Sequence, residues 1–115
     1  MPKVGMRRVR EPRKPRDGKR VLVMRYWPRG VKKDQVDDWW CDLAPTKELI
    51  HGYKQGAIPW ADFARSYVKQ MRSAVPKQKI SELAAQARKR KISVLCDCAD
   101  ETRCHRSLLK KMLEA

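Results

Sequence analysis

The spacing of apolar residues changes period several times along the chain, and each change marks an element. Arg20-Val-Leu-Val-Met-Arg-Tyr26 is a nearly continuous apolar, β-branched run, the pattern of a strand buried on both faces. Trp27-Pro28-Arg29-Gly30 ends it, because proline cannot continue a ladder and glycine permits a sharp turn. Ile92-Ser-Val-Leu-Cys-Asp-Cys98 predicts a second strand of the same character, and Met6 to Arg10 a short edge strand. Between the two main runs the period is helical. Val36, Trp39, Trp40 and Leu43 share one face of a helix expected from Lys32 to Leu43. Thr46, following Pro45, offers an N-cap for a shorter helix to Tyr53, which Gly56 closes off. After Pro59, the recurrence of Trp60, Phe63, Ala64, Tyr67 and Met71 describes a strongly amphipathic helix. Pro76 opens another, with Ile80, Leu83, Ala84 and Ala87 inward, and Leu108, Leu109, Met112 and Leu113 mark the last.

Two strands separated by helices, the second running on into a further helix, imply parallel pairing through a right-handed crossover. The expected architecture is a single α/β domain: a small parallel or mixed sheet of two to four strands flanked by helices. Residues 10–19 are rich in proline and charge, with Asp17-Gly18 as a turn signal. Residues 1–19 therefore read as a basic arm carrying the edge strand, and residues 20–115 as the compact domain. In parallel sheets ligands bind beyond the carboxyl ends of the strands. That rule selects two loops, Arg25–Lys32 and Cys98–Arg106, and expects them side by side.

Composition narrows the class. With 42% hydrophobic and 36% charged residues, the chain suits a globular protein with a charged surface better than a disordered tail. No apolar stretch approaches membrane-spanning length and no secretory leader is evident, so a cytoplasmic location without a membrane partner is expected. Four cysteines then read as thiols, metal ligands or catalytic groups.

Charge adds a location. The chain carries 28 Lys and Arg against 13 Asp and Glu, a formal charge of +15. The excess falls entirely in residues 1–20 and 65–91, and the other segments are neutral. Localised cationic segments are the footprint of a polyanion, most often nucleic acid. Arg65, Lys69 and Arg72 form a stripe along one helix face, and Glu82 is the only acid between residues 65 and 91.

The densest candidate chemistry lies in Cys96-Asp-Cys-Ala-Asp-Glu-Thr-Arg-Cys104-His105-Arg106, which gathers three of the four cysteines and one of the two histidines. A helix starting near Arg103 would present free N–H groups to an anion and favour a reactive Cys104. From the first strand end, Arg25, Arg29 and Lys32 add charge and Trp27 adds a flat face for a base. With Arg106 these form the expected ligand-binding set, suited to nucleic acid or a phosphorylated small molecule.

Other chemistries compete for the same residues. An enzyme would use Cys104 as nucleophile and His105 for proton transfer, although such partners normally meet through the fold. Zinc on Cys96, Cys98, Cys104 and His105 has the right ligand types, and a Cys-x-Cys on a strand points both thiols to one face. The adjacency of Cys104 and His105 counts against joint ligation. No cofactor is therefore favoured, and a zinc-stabilised interaction module stands as a further alternative. A Cys-x5-Arg phosphatase loop fails on spacing. Asp97, Asp100 and Glu101 have the chemistry for Mg²⁺, though capping explains Asp100 more simply. Cys41, Trp39, Trp40, Trp60, Phe63 and Tyr67 read as core, and His51 as an ordinary helix-surface residue.

Taken together, Asp17-Gly18-Lys-Arg-Val-Leu-Val, Arg25-Tyr-Trp-Pro-Arg-Gly-Val31, Trp40-Cys-Asp-Leu-Ala-Pro-Thr-Lys-Glu-Leu49, Trp60-Ala-Asp-Phe-Ala-Arg-Ser-Tyr67 and Cys104-His105-Arg106 resemble the YeaO-like family, domain-of-unknown-function family 488. The family typically carries Asp where this chain has Met24. The resemblance implies a compact α/β domain and supplies no activity.

Overall fold

The computed structural model describes residues 3–98 and 103–115. Four strands, β1 (Val4–Arg8), β2 (Lys19–Leu22), β3 (Asp38–Trp39) and β4 (Ile92–Cys96), form one sheet in the order β1-β4-β2-β3. Every pairing is parallel. β4 is central, with Ile92 between Val4 and Lys19, and Val94 between Met6 and Val21. All five of its residues are buried, as a near-continuous apolar run requires.

Helices α1 (Lys47–Lys54), α2 (Trp60–Met71), α3 (Ala74–Lys89) and α4 (His105–Glu114) all contribute to one core on one face of the sheet. Val4, Val21, Ile92 and Val94 meet Leu49, Phe63, Tyr67, Leu83 and Leu109 there. Thr46 caps α1, its side chain accepting from the Leu49 N–H at 3.2 Å, an interaction worth about 1 kcal/mol. Phe63, Tyr67 and Met71 are the buried residues of α2, as their spacing predicts.

The opposite face is closed by loops around a small cluster of Val9, Leu22 and Leu95. The alternation of a strand places Arg20 and Ser93 on this same side. Both are buried, and Asp17 beneath them is buried too. The Arg20 guanidinium donates to Asp17, to the carbonyls of Val9 and Glu11, and to the carbonyl of Gln35. Ser93 Oγ donates to the Asp17 carbonyl at 2.7 Å. A polar knot thus fastens the segment preceding β2 to the underside of the sheet.

The helix expected from Lys32 to Leu43 is absent. In its place stand a 3-10 turn at Lys33–Gln35, the two-residue strand β3 and a second 3-10 turn at Cys41–Leu43. The free edge of β2 decides this. Its Arg20 and Leu22 carbonyls take the N–H groups of Asp37 and Trp40, both at 2.8 Å. Extended backbone sends successive side chains to opposite sides, so Trp40 packs on the main core while Trp39 is 43% exposed. Trp39 is therefore not core. Cys41 is likewise exposed, because the turn that begins with it faces outward.

Other boundaries shift by a few residues. β2 stops at Leu22, with Val23 N–H adding one further bond to the Leu95 carbonyl, where the run to Tyr26 predicted a longer strand. The chain then turns away as Arg25 donates to the carbonyls of Pro45 and Ala44. β4 ends at Cys96 rather than Cys98, β1 begins at Val4, and α3 starts at Ala74, two residues before Pro76. α4 starts at His105 rather than Arg103. Among the described residues, no helix is long and apolar enough to cross a membrane.

Candidate functional site

The carboxyl end of β4 and the start of α4 bring Cys96, Cys98, Cys104 and His105 together. Cys96 is the last strand residue, and Cys98 Sγ lies 3.6 Å from Cys96 Sγ. Cys104 precedes α4 in extended conformation, φ −138° and ψ 147°, and His105 is the first helical residue. This change of backbone lets two sequence neighbours converge: Cys104 Sγ is 3.7 Å from His105 Nδ1, and Cys96 Sγ is 4.0 Å from it. The objection to adjacent ligands does not hold in this geometry. The ligand atoms of Cys96, Cys104 and His105 lie within 4.8 Å of one another, and the group could hold a metal ion.

The imidazole is oriented by the sheet. His105 Nε2 lies 2.6 Å from the Val23 carbonyl, which can only accept, so Nε2 carries the hydrogen. The other ring nitrogen, Nδ1, faces the sulfurs. Tyr67 meets the ring edge-on at 5.5 Å and 65°, its own hydroxyl donating to the Leu43 carbonyl at 2.6 Å.

Arg106 forms the opposite wall. Fully buried, it donates through Nε to Cys104 Sγ at 3.4 Å, through Nη1 to the Arg7 carbonyl at 2.6 Å and through Nη2 to the Cys98 carbonyl at 2.8 Å. Negative charge is favoured in the cluster. Hydrogen bonds from Cys104 and Cys98 hold the Cys96 thiol well below its ordinary range against the cost of burial, with help from the Cys98 N–H and the Arg106 charge. Hydrogen bonding with Cys104 and Cys96, together with burial, pushes the Cys98 thiol up. Burial, reinforced by charge on Cys104 and Cys96, raises the Tyr67 phenol well above its usual value.

Above the cluster lies a cleft of about 620 Å³ between the strand ends and α1. Its walls include Tyr26, Ile50, Tyr53 and Phe63. Among the described lining residues, Arg25, Lys47, Lys54 and Arg103 bring four cations, against the single carboxylate of Asp97. Asp97 is itself paired with Arg8 and Arg10. Tyr26 is 55% exposed, with Lys47 Nζ 5.6 Å from its ring centroid.

The remaining expected site residues lie elsewhere. Trp27 is half-buried, its indole N–H donating to the Val31 carbonyl and its ring meeting Trp39 edge-on at 5.7 Å. Trp27, Arg29 and Lys32 are not among the described residues lining the cleft. Arg25 lines it, although its guanidinium serves the Pro45 and Ala44 carbonyls. Arg106 lies behind the sulfurs. Arg65 and Lys69 on α2 and Arg72 at its C-cap are exposed, with Arg65 paired to Asp62. The Asp100 and Glu101 positions considered for Mg²⁺ lie outside the described residues.

Sequence reasoning missed the contribution of α1. Lys47, His51 and Lys54 recur at i, i+4 and i+7, one helix face, and that face forms a wall of the cleft. The spacing was a usable signal once α1 was placed.

A parallel sheet with its helices on one face, carrying a thiol–imidazole cluster beneath a cation-lined cleft at the strand carboxyl ends, defines a small α/β domain with a preformed candidate site. Residues 4–115 match a family model described as the active DUF488-N3 subclade. The chain belongs to this DUF488 family. It is 31% identical over 111 residues to the uncharacterized protein YeaO of Escherichia coli, covering 95% of each chain. Uncharacterized proteins of Mycobacterium tuberculosis and Mycobacterium bovis are 34% identical over 87 residues, 74% of each chain. No solved structure matches.

Proposed function

We propose that the protein binds a phosphate-bearing ligand of the nucleotide class in the cleft at the strand carboxyl ends. The observation that carries this reading is the combination, among the described residues, of an apolar, aromatic wall with four cations and one already paired carboxylate around one cavity. Tyr26 offers a face for a base, and Lys47 and Lys54 offer charge to a phosphate. Calorimetric titration with AMP, adenosine and inorganic phosphate tests it. AMP should bind more tightly than either part alone, and Lys47→Ala with Lys54→Ala should weaken it by about tenfold or more, roughly 1.4 kcal/mol. No binding of AMP, or binding indifferent to both lysines, would overturn the proposal.

A second reading extends the ligand to a nucleic-acid strand, and the distribution of ion pairs favours it on α2 and α3 rather than on the N-terminal arm. Arg7, Arg8, Arg10, Arg13, Lys19 and Arg20 all pair with carboxylates within the chain. Over residues 65–91, by contrast, the described ion pair is Arg65 with Asp62, while Lys69, Arg72, Lys77 and Arg88 face water. Oligonucleotide binding should then weaken steeply with salt, and the slope should flatten when Arg65, Lys69 and Arg72 are changed to Gln. A salt-independent affinity, or an unchanged slope, would remove this reading.

A further inference from the structure

The geometry points to a zinc site within the lining of the cleft: Cys96, Cys104 and His105 bind one zinc ion, and Cys98 is its fourth, exchangeable ligand. Tetrahedral zinc with bonds of about 2.3 Å to sulfur and 2.0–2.1 Å to nitrogen sets its ligand atoms roughly 3.8 Å apart for two sulfurs and roughly 3.6 Å for sulfur and nitrogen. The measured separations are 3.6 Å for the Cys96 and Cys98 sulfurs, and 3.7 and 4.0 Å from His105 Nδ1 to Cys104 and Cys96. Three of the six edges of the coordination shell are already close to these lengths.

Two further observations point the same way. A ligating histidine characteristically donates its second ring N–H to a carbonyl or carboxylate, which fixes its tautomer. Val23 O fills that role at 2.6 Å and leaves Nδ1, which faces the thiols, as the nitrogen able to ligate. The other observation concerns charge. Arg106 is fully buried, and its described hydrogen-bond acceptors are two carbonyls and the Cys104 sulfur, with no carboxylate. A buried guanidinium calls for an anion. Zinc with three thiolates and a neutral imidazole carries a net charge of −1, which Arg106 balances. Soft sulfur and imidazole ligands also select zinc over magnesium or calcium. Cys98 is the exchangeable member because it is the least buried of the three thiols and lies outside the tight Cys96, Cys104 and His105 group.

The test uses the full chain, reduced and stripped of metal, then titrated with Co²⁺ or Zn²⁺ alone. One metal per chain should appear by native mass. Co²⁺ should give a thiolate charge-transfer band that falls by about one third in Cys98→Ser, because one of three thiolates is removed, and disappears in Cys104→Ser. In the wild-type chain, zinc should shield Cys98, the partly exposed thiol of the cluster, from alkylation while exposed Cys41 stays reactive. That labelling pattern decides the matter even where Cys104→Ser fails to fold. Absence of the band in wild-type protein, or identical labelling with and without zinc, would overturn the site; an unchanged band in Cys98→Ser would remove Cys98 as a ligand. AMP titration of the same metal-free sample keeps this result separate from the proposed ligand of the cleft.

Discussion

Arg20 Nη1 donates to Asp17 Oδ2 at 2.7 Å beneath the sheet, with both side chains almost wholly excluded from solvent. The same guanidinium also holds the carbonyls of Val9, Glu11 and Gln35, so one side chain ties β2 to two loops. Removing either partner strands the other in a dry site, and breaking such a pair costs about 3–5 kcal/mol. Arg20→Met and Asp17→Asn should each lower the urea midpoint strongly. Their double variant should cost much less than the sum, since the cost of each single change is largely the charge left behind. Strict additivity in that cycle would show that the two groups are not coupled.

Acid should loosen the same region. Burial alone would raise the pKa of Asp17, but hydrogen bonds from Lys14 and Arg20 and the charges of Arg7 and Arg20 leave it below the ordinary value. Asp37 is lowered as well, first by its hydrogen bonds from Arg13 and then, against burial, by the Arg20 N–H. A carboxylate with a depressed folded pKa contributes stability that is complete above the unfolded value of about 3.9 and is lost as pH falls through the folded value. Stability measured from pH 7 to pH 2 should therefore decline below about pH 4, and Asp37→Asn should flatten the decline. A variant as acid-sensitive as the wild type would exclude Asp37 as a contributor.

Two glycines should respond differently to the same substitution. Gly18 has φ +66°, and a Cβ there would lie 2.2 Å from the Lys91 carbonyl oxygen, the acceptor of the Lys19 N–H at the start of β2. Gly30 has φ +81°, but a Cβ there would meet nothing within 4 Å. Gly30→Ala should cost only the left-handed backbone penalty of about 1–2 kcal/mol. Gly18→Ala must also displace main chain at the β2–β4 register, so its loss in urea midpoint should be clearly larger. Equal losses would mean that the loop before β2 yields without disturbing the sheet.

These residues also mark the limits of reading the sequence. The runs at Val21–Val23 and Ile92–Leu95, the Thr46 cap and the spacing of Phe63, Tyr67 and Met71 are local signals, and the elements formed where they predicted. Val36, Trp39, Trp40 and Leu43 have helical spacing too, yet the open carbonyls on the edge of β2 captured Asp37 and Trp40. No window along the chain contains that competition. Charge was legible in amount and not in use: Arg20 and Arg106 count as surface cations in any composition, and both lie at the centre of buried networks. Within the site, the types and proximity of Cys96, Cys98, Cys104 and His105 were visible in the sequence. Their convergence depends on the backbone passing from extended at Cys104 to helical at His105.

Arg106 should tolerate no substitution by lysine, despite the conserved charge. Its three donating nitrogens diverge toward β1 at Arg7, the segment after β4 at Cys98 and the sulfur of Cys104. The planar guanidinium spans these directions from one fixed centre, whereas an ammonium is a compact donor at the end of a flexible stem. Lysine can reach one of the two carbonyls and leaves the other buried without a donor, at about 1–3 kcal/mol for a stranded acceptor. Packing lost with the guanidinium adds to that. Arg106→Lys should lower the thermal midpoint by roughly 4 °C for each kcal/mol lost, and amide exchange should quicken in β1 and at the amino end of α4. Arg106→Met removes the donors and the charge together, so it should be no milder than lysine; a Met variant more stable than wild type would mean that the sulfur cluster needs no counter-charge.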